Sequence, residues 1–323
     1  MAVFTEVTRE QASQLAAELR LGALTDLRGI KAGIENTNYF LTTEAGEWVL
    51  TVFERLTFAE LPFYLQLMKH LARHGIPVPD PQANASGEIL LSVAGKPAAV
   101  VNKLAGGHQL APDLFHCEQL GAMLARMHLA AQDFELYQPN LRGLPWWTET
   151  VPVVLPHVTA EQAELLSSEL AFQQTLAASA TYAELPRGPI HADLFRDNAM
   201  FEGLPGREQL TGFFDFYFAG VDAWLFDVAV CINDWCIDLA TGRLDEARAQ
   251  VLVNAYAKVR PLNGAEYRLL PALLRAAALR FWISRLWDFH LPRDAALLKP
   301  HDPGHFERVL RERVVRPWHA LPQ

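Results

Sequence analysis

Four side chains at fixed spacing carry the chemistry that can be read first: His191, Asp193 and Asn198 in the run Ile190-His191-Ala192-Asp193-Leu194-Phe195-Arg196-Asp197-Asn198, then Asp215 after Phe213-Phe214. A carboxylate at Asp193 can orient an acceptor hydroxyl and take its proton. An amide oxygen at Asn198 and a second carboxylate at Asp215 can hold the Mg²⁺ that neutralises nucleotide phosphates. Phosphoryl transfer from ATP asks for these groups in the order His-x-Asp-x-x-x-x-Asn followed by Asp-Phe. The competing reading is a surface loop in which Asp193 and Asp197 cap a helix, which would suffice for a lone Asp. It does not account for three correctly spaced groups followed by Asp-Phe.

Short apolar runs must position these residues. Pro189-Ile190, Ala199-Met200-Phe201 and Leu210-Thr211-Gly212-Phe213-Phe214 read as strands, which places the polar residues on a turn with Asp215 delivered beside them. Upstream, Thr8 with Gln11 forms a capping-box signal for a helix reaching Gly22. Strands follow at about 27–30, 39–42, 48–53, 89–91 and 98–101, the first two joined by the polar turn 31–38. Gly33, Asn36, Thr37 and Asn38 of that turn could offer donors to phosphates; a plain hairpin turn is the alternative, because no Gly-x-Gly-x-x-Gly is present. A helix from Pro62 to about His74 is stopped by Gly75 and the Pro77/Pro79 pair, with Glu60 at its start.

The Gly-containing connector at 102–107 marks a change of character, so the expected division is a nucleotide-binding lobe at 1–102 and a second lobe at 103–323. The second lobe reads as helices at about 113–132, 160–180, 224–239, 244–259, 264–290 and 303–319, with Leu144-Pro145-Trp146-Trp147 joining the first two. The expected fold class is α+β: a two-lobed, protein-kinase-like fold with a small antiparallel sheet in the N-lobe and a mainly helical C-lobe. Only Phe216 to Ala223 separate Asp215 from the next helix, and no Ala-Pro-Glu follows. That is too short for the segment with which a protein kinase binds a polypeptide, so the acceptor is expected to be a small molecule.

Composition sets the outer limits. The chain has 323 residues, half of them hydrophobic and a fifth charged, with a formal net charge of -9. That is the composition of a globular protein with room for two cores. The acidic balance and the lack of a Lys/Arg cluster argue against a nucleic-acid partner. Cys117, Cys231 and Cys236 lack both the density of a disulfide scaffold and the spacing of a zinc site, and read as buried thiols. No apolar run approaches membrane-spanning length and the first ten residues lack a signal core, so a cytoplasmic protein without a membrane partner is expected.

The run His191 to Asn198 with Asp215-Phe216-Tyr217 resembles the aminoglycoside phosphotransferase and choline kinase superfamily. More closely, Gly33-Ile34-Glu35-Asn36-Thr37-Asn38-Tyr39-Phe40, Trp48-Val49-Leu50-Thr51, Leu61-Pro62-Phe63 and Asn233-Asp234-Trp235-Cys236 resemble the bacterial homoserine kinases of that superfamily, from about residue 3 to 320. The resemblance implies ATP and Mg²⁺ as cofactors and L-homoserine as the acceptor, converted to O-phospho-L-homoserine. It implies Asp193 as the base, Asn198 and Asp215 as the metal ligands, Lys103-Leu104 as the adenine-contacting hinge, and Asp227 as a structural support of the loop.

One departure stands out: Thr51 occupies the strand position where kinases usually carry a phosphate-binding Lys. Lys31, Arg55 and Arg196 are the candidate replacements, with Arg196 favoured from its place in the loop, and Glu60 loses its usual partner. For the acceptor, an acidic or aromatic group would meet an ammonium and an arginine a carboxylate; the candidates are Asp234, Trp235 and Tyr217 near the loop and Arg285 with Trp282 on the later helix. The two Trp could equally be core, and Arg285 could pair with Asp288. His128, His157 and His290 read as packing or surface residues. The alternatives left open are a sister kinase for choline, an aminoglycoside or another amino alcohol, and a nucleotide-binding pseudokinase whose sole support is Thr51.

Overall fold

Thr8 closes the predicted capping box: Gln11 N donates to Thr8 Oγ1 at 3.2 Å and Thr8 N to Gln11 Oε1 at 2.9 Å. This starts helix α1 (Arg9–Glu18). The computed structural model describes residues 5–30, 36–291 and 301–322, so Lys31 and Gly33 lie outside the described residues. The chain divides into two compact units, Met1–Ala105 and Gly106–Gln323.

In the first unit, β1 (Leu24–Gly29), β2 (Asn36–Thr43), β3 (Gly46–Phe53), α2 (Leu61–Arg73), β4 (Leu91–Val93) and β5 (Lys96–Asn102) follow α1. The strands form one antiparallel sheet in the order β1-β2-β3-β5-β4. Strand β2 alternates half-buried and buried residues along its length, so a period of two decides which side chains face the core. Tyr39 and Leu41 join Leu50, Val52, Ala98 and Val100 beneath Ala12, Leu15 and Ala16 of α1. Burying that face supplies the sheet's main stabilisation, at roughly 25 cal/mol per Å² of apolar surface removed from water.

The second unit contains α3 (Leu114–Ala130), α4 (Leu144–Val154), α5 (Ala160–Ala177), α6 (Ala180–Ala183), β6 (Arg187–Ile190), β7 (Ala199–Glu202), β8 (Gln209–Phe213), β9 (Gly220–Ala223), α7 (Trp224–Trp235), α8 (Glu246–Val259), α9 (Gly264–His290) and α10 (Gly304–Val315). Helix α4 is an addition to the elements expected from sequence. Its Pro145 sits in the first turn, where a missing N–H costs nothing and the fixed φ favours a helix start. Strands β6 and β9 pair antiparallel, as do β7 and β8. The three strands expected around the loop exist, but they belong to two separate pairs instead of one cluster, and β9, in the short segment after Asp215, is a further strand that the sequence did not indicate.

Helix α3 lies along α8 at a glycine. A Cβ placed on Gly121 would stand 2.2 Å from the Leu252 carbonyl oxygen, so only a residue without one allows this approach. All three cysteines are buried and unbridged, with Cys117 Sγ 4.0 Å from Cys236 Sγ. Among the described residues no helix is long and apolar enough to cross a membrane.

Candidate active site

Strand β6 ends at Ile190 and the chain turns at once, with Ala192 at φ 64°. A left-handed alanine costs roughly 1–2 kcal/mol, and a buried carboxylate holds it there. Asp227, wholly buried on α7, accepts from His191 N and Ala192 N, each at 2.8 Å. The loop is then closed from the other side. His191 Nε2 lies 2.8 Å from the Phe214 carbonyl, which can only accept, so Nε2 carries the proton and Nδ1 accepts from Asp193 N at 3.3 Å. Burial lowers the His191 pKa, in keeping with this neutral tautomer.

The same ties bring Asp215 to the loop. Phe214 N donates to the Asn198 carbonyl at 3.0 Å, and Asp215 follows with φ 68°, a conformation in which its side chain departs from the strand alternation. Asn198 Nδ2 donates to the Asp193 carbonyl at 2.8 Å. Its amide nitrogen is thereby engaged with the loop, and its oxygen is the atom left to meet a cation. Asp193 is half-buried. Burial pushes its carboxyl well above the ordinary carboxylate range, against the opposing charge of Arg280 and with Asp215, Asp197 and Asp234 adding to the rise. A hard divalent cation suits this place by two criteria: the donors are carboxylate and amide oxygens, and the gathered negative charge is otherwise mutually repulsive.

Behind Asp227 runs a buried polar chain to which no sequence motif points. His128 on α3 donates from Nε2 to Asp227 Oδ2 at 3.1 Å and accepts at Nδ1 from Tyr256 Oη at 2.7 Å. Arg260 Nε donates to the same Tyr256 oxygen at 2.9 Å and its guanidinium pairs with buried Glu266. His128 also stacks on Trp224, with an interplanar angle of 4°. Burial lowers the His128 pKa, while the bonds to His128 and His191 outweigh burial and hold the Asp227 carboxyl below its usual value. Far from being an isolated packing residue, His128 is the link between the loop's support and helix α8.

Several of the expected ligand contacts occupy other positions. Arg196 directs Nε at Asp234 Oδ2 at 3.0 Å, Nη1 at the Leu110 carbonyl at 3.2 Å and Nη2 at the Asp234 carbonyl. With all three guanidinium nitrogens engaged, Arg196 ties the loop to α7, and its contacts offer nothing for a phosphate-binding role. Asp234 is correspondingly committed to Arg196 N and Nε. Trp235 is fully buried with its indole N–H on the Leu194 carbonyl at 3.0 Å, which makes it another support of the loop. Trp282 is likewise fully buried. Tyr217 is half-buried in the turn directly after Asp215. Arg285 lies over the Phe306 ring at 4.5 Å, and no ion pair joins it to Asp288 among the described residues.

One further cation has no motif to announce it. Arg280 on α9 is only 3% exposed, and its Nε and Nη2 have no hydrogen-bond partner among the described residues. Its guanidinium stacks 3.7 Å from the Phe281 ring centroid and 5.0 Å from that of Phe218, three residues after Asp215. Phe281 in turn packs against Phe195 of the loop, with centroids 4.5 Å apart. The available signal is a lone charge inside the apolar run Ala276 to Ile283.

In the first unit, β2 periodicity separates the nucleotide candidates. Thr37 faces the core, fully buried, and donates to Glu54 Oε1 at 2.6 Å; a side chain so placed is a structural one. Asn36 and Asn38 point the other way, and Asn38 Oδ1 accepts from Thr51 Oγ1 across the β2–β3 pair at 2.8 Å. The Thr51 position therefore carries a neutral hydrogen bond instead of a cation. Lys103 pairs with Glu47 Oε2 at 2.9 Å and lies over Phe40, with half-buried Leu104 next to it. Arg55 is exposed, and Glu60 accepts from Thr57 N and Oγ1.

A sheet-bearing unit and a helical unit whose loop presents Asp193, Asn198 and Asp215 together define a phosphotransferase of the kinase-like class. Residues 26–262 match the Phosphotransferase enzyme family. The homoserine kinase of Polaromonas naphthalenivorans (strain CJ2) is 64% identical over 318 residues, covering 98% of this chain and 99% of that one. That of Paraburkholderia xenovorans (strain LB400) is 60% identical over 318 residues, with 97% and 96% covered. The chain belongs to the phosphotransferase enzyme family and, within it, to the homoserine kinases. Among solved structures, an amicoumacin kinase in complex with AMP-PNP and Ca²⁺ shares the fold at TM-score 0.68 and 18% identity, with 95% of this chain and 92% of that one covered. A choline/ethanolamine kinase family protein from Mesorhizobium loti does so at TM-score 0.65 and 17% identity, with 95% and 93% covered.

Proposed function

We propose that this chain transfers the γ-phosphoryl group of ATP, with Mg²⁺, directly to the hydroxyl of L-homoserine, giving O-phospho-L-homoserine. The observation that carries the reading is the double tie between the loop and the Asp215 turn, His191 Nε2 to the Phe214 carbonyl and Phe214 N to the Asn198 carbonyl. It holds a carboxylate for the hydroxyl and two oxygen donors for a cation in one constellation. The homoserine kinase relatives support the acceptor, and the fold neighbour with AMP-PNP and Ca²⁺ supports a nucleotide with a divalent cation.

In this reading Asp193 accepts a hydrogen bond from the acceptor hydroxyl, aligns its oxygen with the γ-phosphorus and takes the proton as the bond forms. Asn198 and Asp215 hold Mg²⁺, which when bound neutralises the phosphate charge that develops in the loose transition state. Asn36, Asn38 and Thr51 are the first unit's polar candidates for the nucleotide, with the Lys103-Leu104 backbone for adenine. Alignment of the reactants is the main contribution asked of the protein, since the transferred group needs little covalent help.

ADP release measured with Mg-ATP and L-homoserine beside choline, L-serine and kanamycin tests the reading. Turnover with homoserine is expected to exceed that of the others, and Asp193→Asn to lower kcat on the order of 10³-fold while AMP-PNP binding persists. Turnover confined to another alcohol would remove homoserine as the acceptor, and loss of nucleotide binding in Asp193→Asn would make Asp193 structural.

A further inference from the structure

We propose that Arg280 recognises the carboxylate of the acceptor, so that Asp193 and Arg280 together select an alcohol bearing an acid over a simple amino alcohol. The proposal rests on homoserine being the acceptor and deepens that reading. Its basis is an unmet requirement inside the second unit. A guanidinium is always charged in proteins, and burying one without a partner is costly. Arg280 is nonetheless 3% exposed, and two of its nitrogens have no hydrogen-bond partner among the described residues.

Its ring contacts place it beside the loop and the turn that carry the reaction centre. Phe218 belongs to the turn that begins at Asp215, and Phe281 packs on loop residue Phe195. The two rings hold the planar fork without using its hydrogen-bonding edge. Aromatic faces are good neighbours for a weakly hydrated guanidinium, and a fixed fork matches a carboxylate with two parallel bonds. Arg280 and Asp193 also feel each other's charge. Burial lowers the Arg280 pKa to about 10, which still leaves it cationic at neutral pH. Homoserine carries its carboxylate at the opposite end of a four-carbon chain from its hydroxyl, so one molecule can engage both groups. Arg285, next along α9 toward its C-terminal end, adds positive charge to the same neighbourhood.

Two other occupants are conceivable for the unused edge: the phosphoryl group in transit, and Asp193 itself. Both predict equal harm to every acceptor when Arg280 is removed. The carboxylate reading predicts harm only to acceptors that carry the acid. The discriminating analogue is 3-aminopropan-1-ol, which is homoserine without its carboxylate, measured both as a substrate and as a competitor of homoserine.

In Arg280→Met, kcat/KM for L-homoserine should fall on the order of 10²-fold, the usual scale for removing one partner of a buried charge pair. The wild-type preference for homoserine over the decarboxylated analogue should collapse by the same factor. L-2-Aminobutyrate, which keeps the acid and lacks the hydroxyl, should lose inhibitory strength in parallel, with Arg280→Lys between wild type and Met. Because the unliganded protein sheds an unpaired buried charge, Arg280→Met should melt at or above the wild-type temperature. A preserved preference ratio, with both acceptors losing equally, overturns the proposal, as does an inhibition constant for L-2-aminobutyrate that does not move. Failure of the wild-type protein to use homoserine at all would instead remove the reading on which the proposal stands.

Discussion

Two backbone N–H groups of the loop end on one carboxylate, and this sets what Asp227 is worth. An amide in its place can accept from His191 N or Ala192 N, but its NH₂ must then face the other donor. One buried N–H loses its partner, at a cost of about 1–3 kcal/mol, and the left-handed Ala192 loses part of what holds it. Asp227→Asn is therefore expected to lower stability by about 2 kcal/mol and to reduce kcat more than it raises KM for ATP, because Asp193 shifts while the nucleotide contacts remain. Urea denaturation with steady-state kinetics checks both; an unchanged kcat would mean the loop keeps its geometry without this support. Trp235 acts similarly at Leu194, where Trp235→Phe leaves the buried carbonyl with only the weak thiol donor of Cys231 at 3.6 Å.

At the scale of elements, α3 has two functions that meet in one helix. Gly121 lets it touch α8, and two turns later His128 reaches Asp227. A methyl group at Gly121 would lie 2.2 Å from the Leu252 oxygen, backbone that can yield only if the helices part. Gly121→Ala should destabilise the fold by about 1–3 kcal/mol and also lower kcat, because displacing α3 loosens the His128 link to the loop. Thermal melting and turnover together test this, and a variant with wild-type values for both would show that the α3–α8 spacing is not transmitted. On the opposite side of the loop, Phe195, Phe281 and Phe306 form an aromatic stack joining it to α9 and α10, with centroids 4.5 to 5.9 Å apart. The loop is thus supported by helices distant from it in the chain, α3 before it and α7, α9 and α10 after it.

For the whole molecule, the buried histidines dictate an acid-side response. In the unfolded chain His128 and His191 titrate near 6.5, whereas burial lowers both in the folded protein. Below about pH 6.5 the unfolded chain therefore binds protons that the folded one refuses, and stability falls as pH drops through that window. Asp227, held below its ordinary value of 3.8, contributes stability that persists above that value and is lost only as pH falls further. The melting temperature should decline between pH 7 and 5, and His128→Gln should make that decline shallower from a lower starting point. A flat melting profile across this range would exclude the histidines as its source.

The linear chain settles the local and periodic part. The capping box at Thr8, the Gly-Pro stop after α2 and the spacing of Asp193, Asn198 and Asp215 depend on neighbours a few residues apart, so the kinase-like class is legible in the order of residues alone, whereas residues 36–38, read as a turn, belong to β2. Pairings across long stretches of sequence are decided only by the tertiary fold. Arg196 reads as a free cation because nothing in its own segment indicates that Asp234 lies against it. His128 reads as idle because its partners stand on α7 and α8. Thr37 and Asn38 are alike until the strand's two faces are assigned. Arg280 is hidden in an apolar run because a residue's burial, and the absence of a partner for it, are properties of the packed interior and not of the residue.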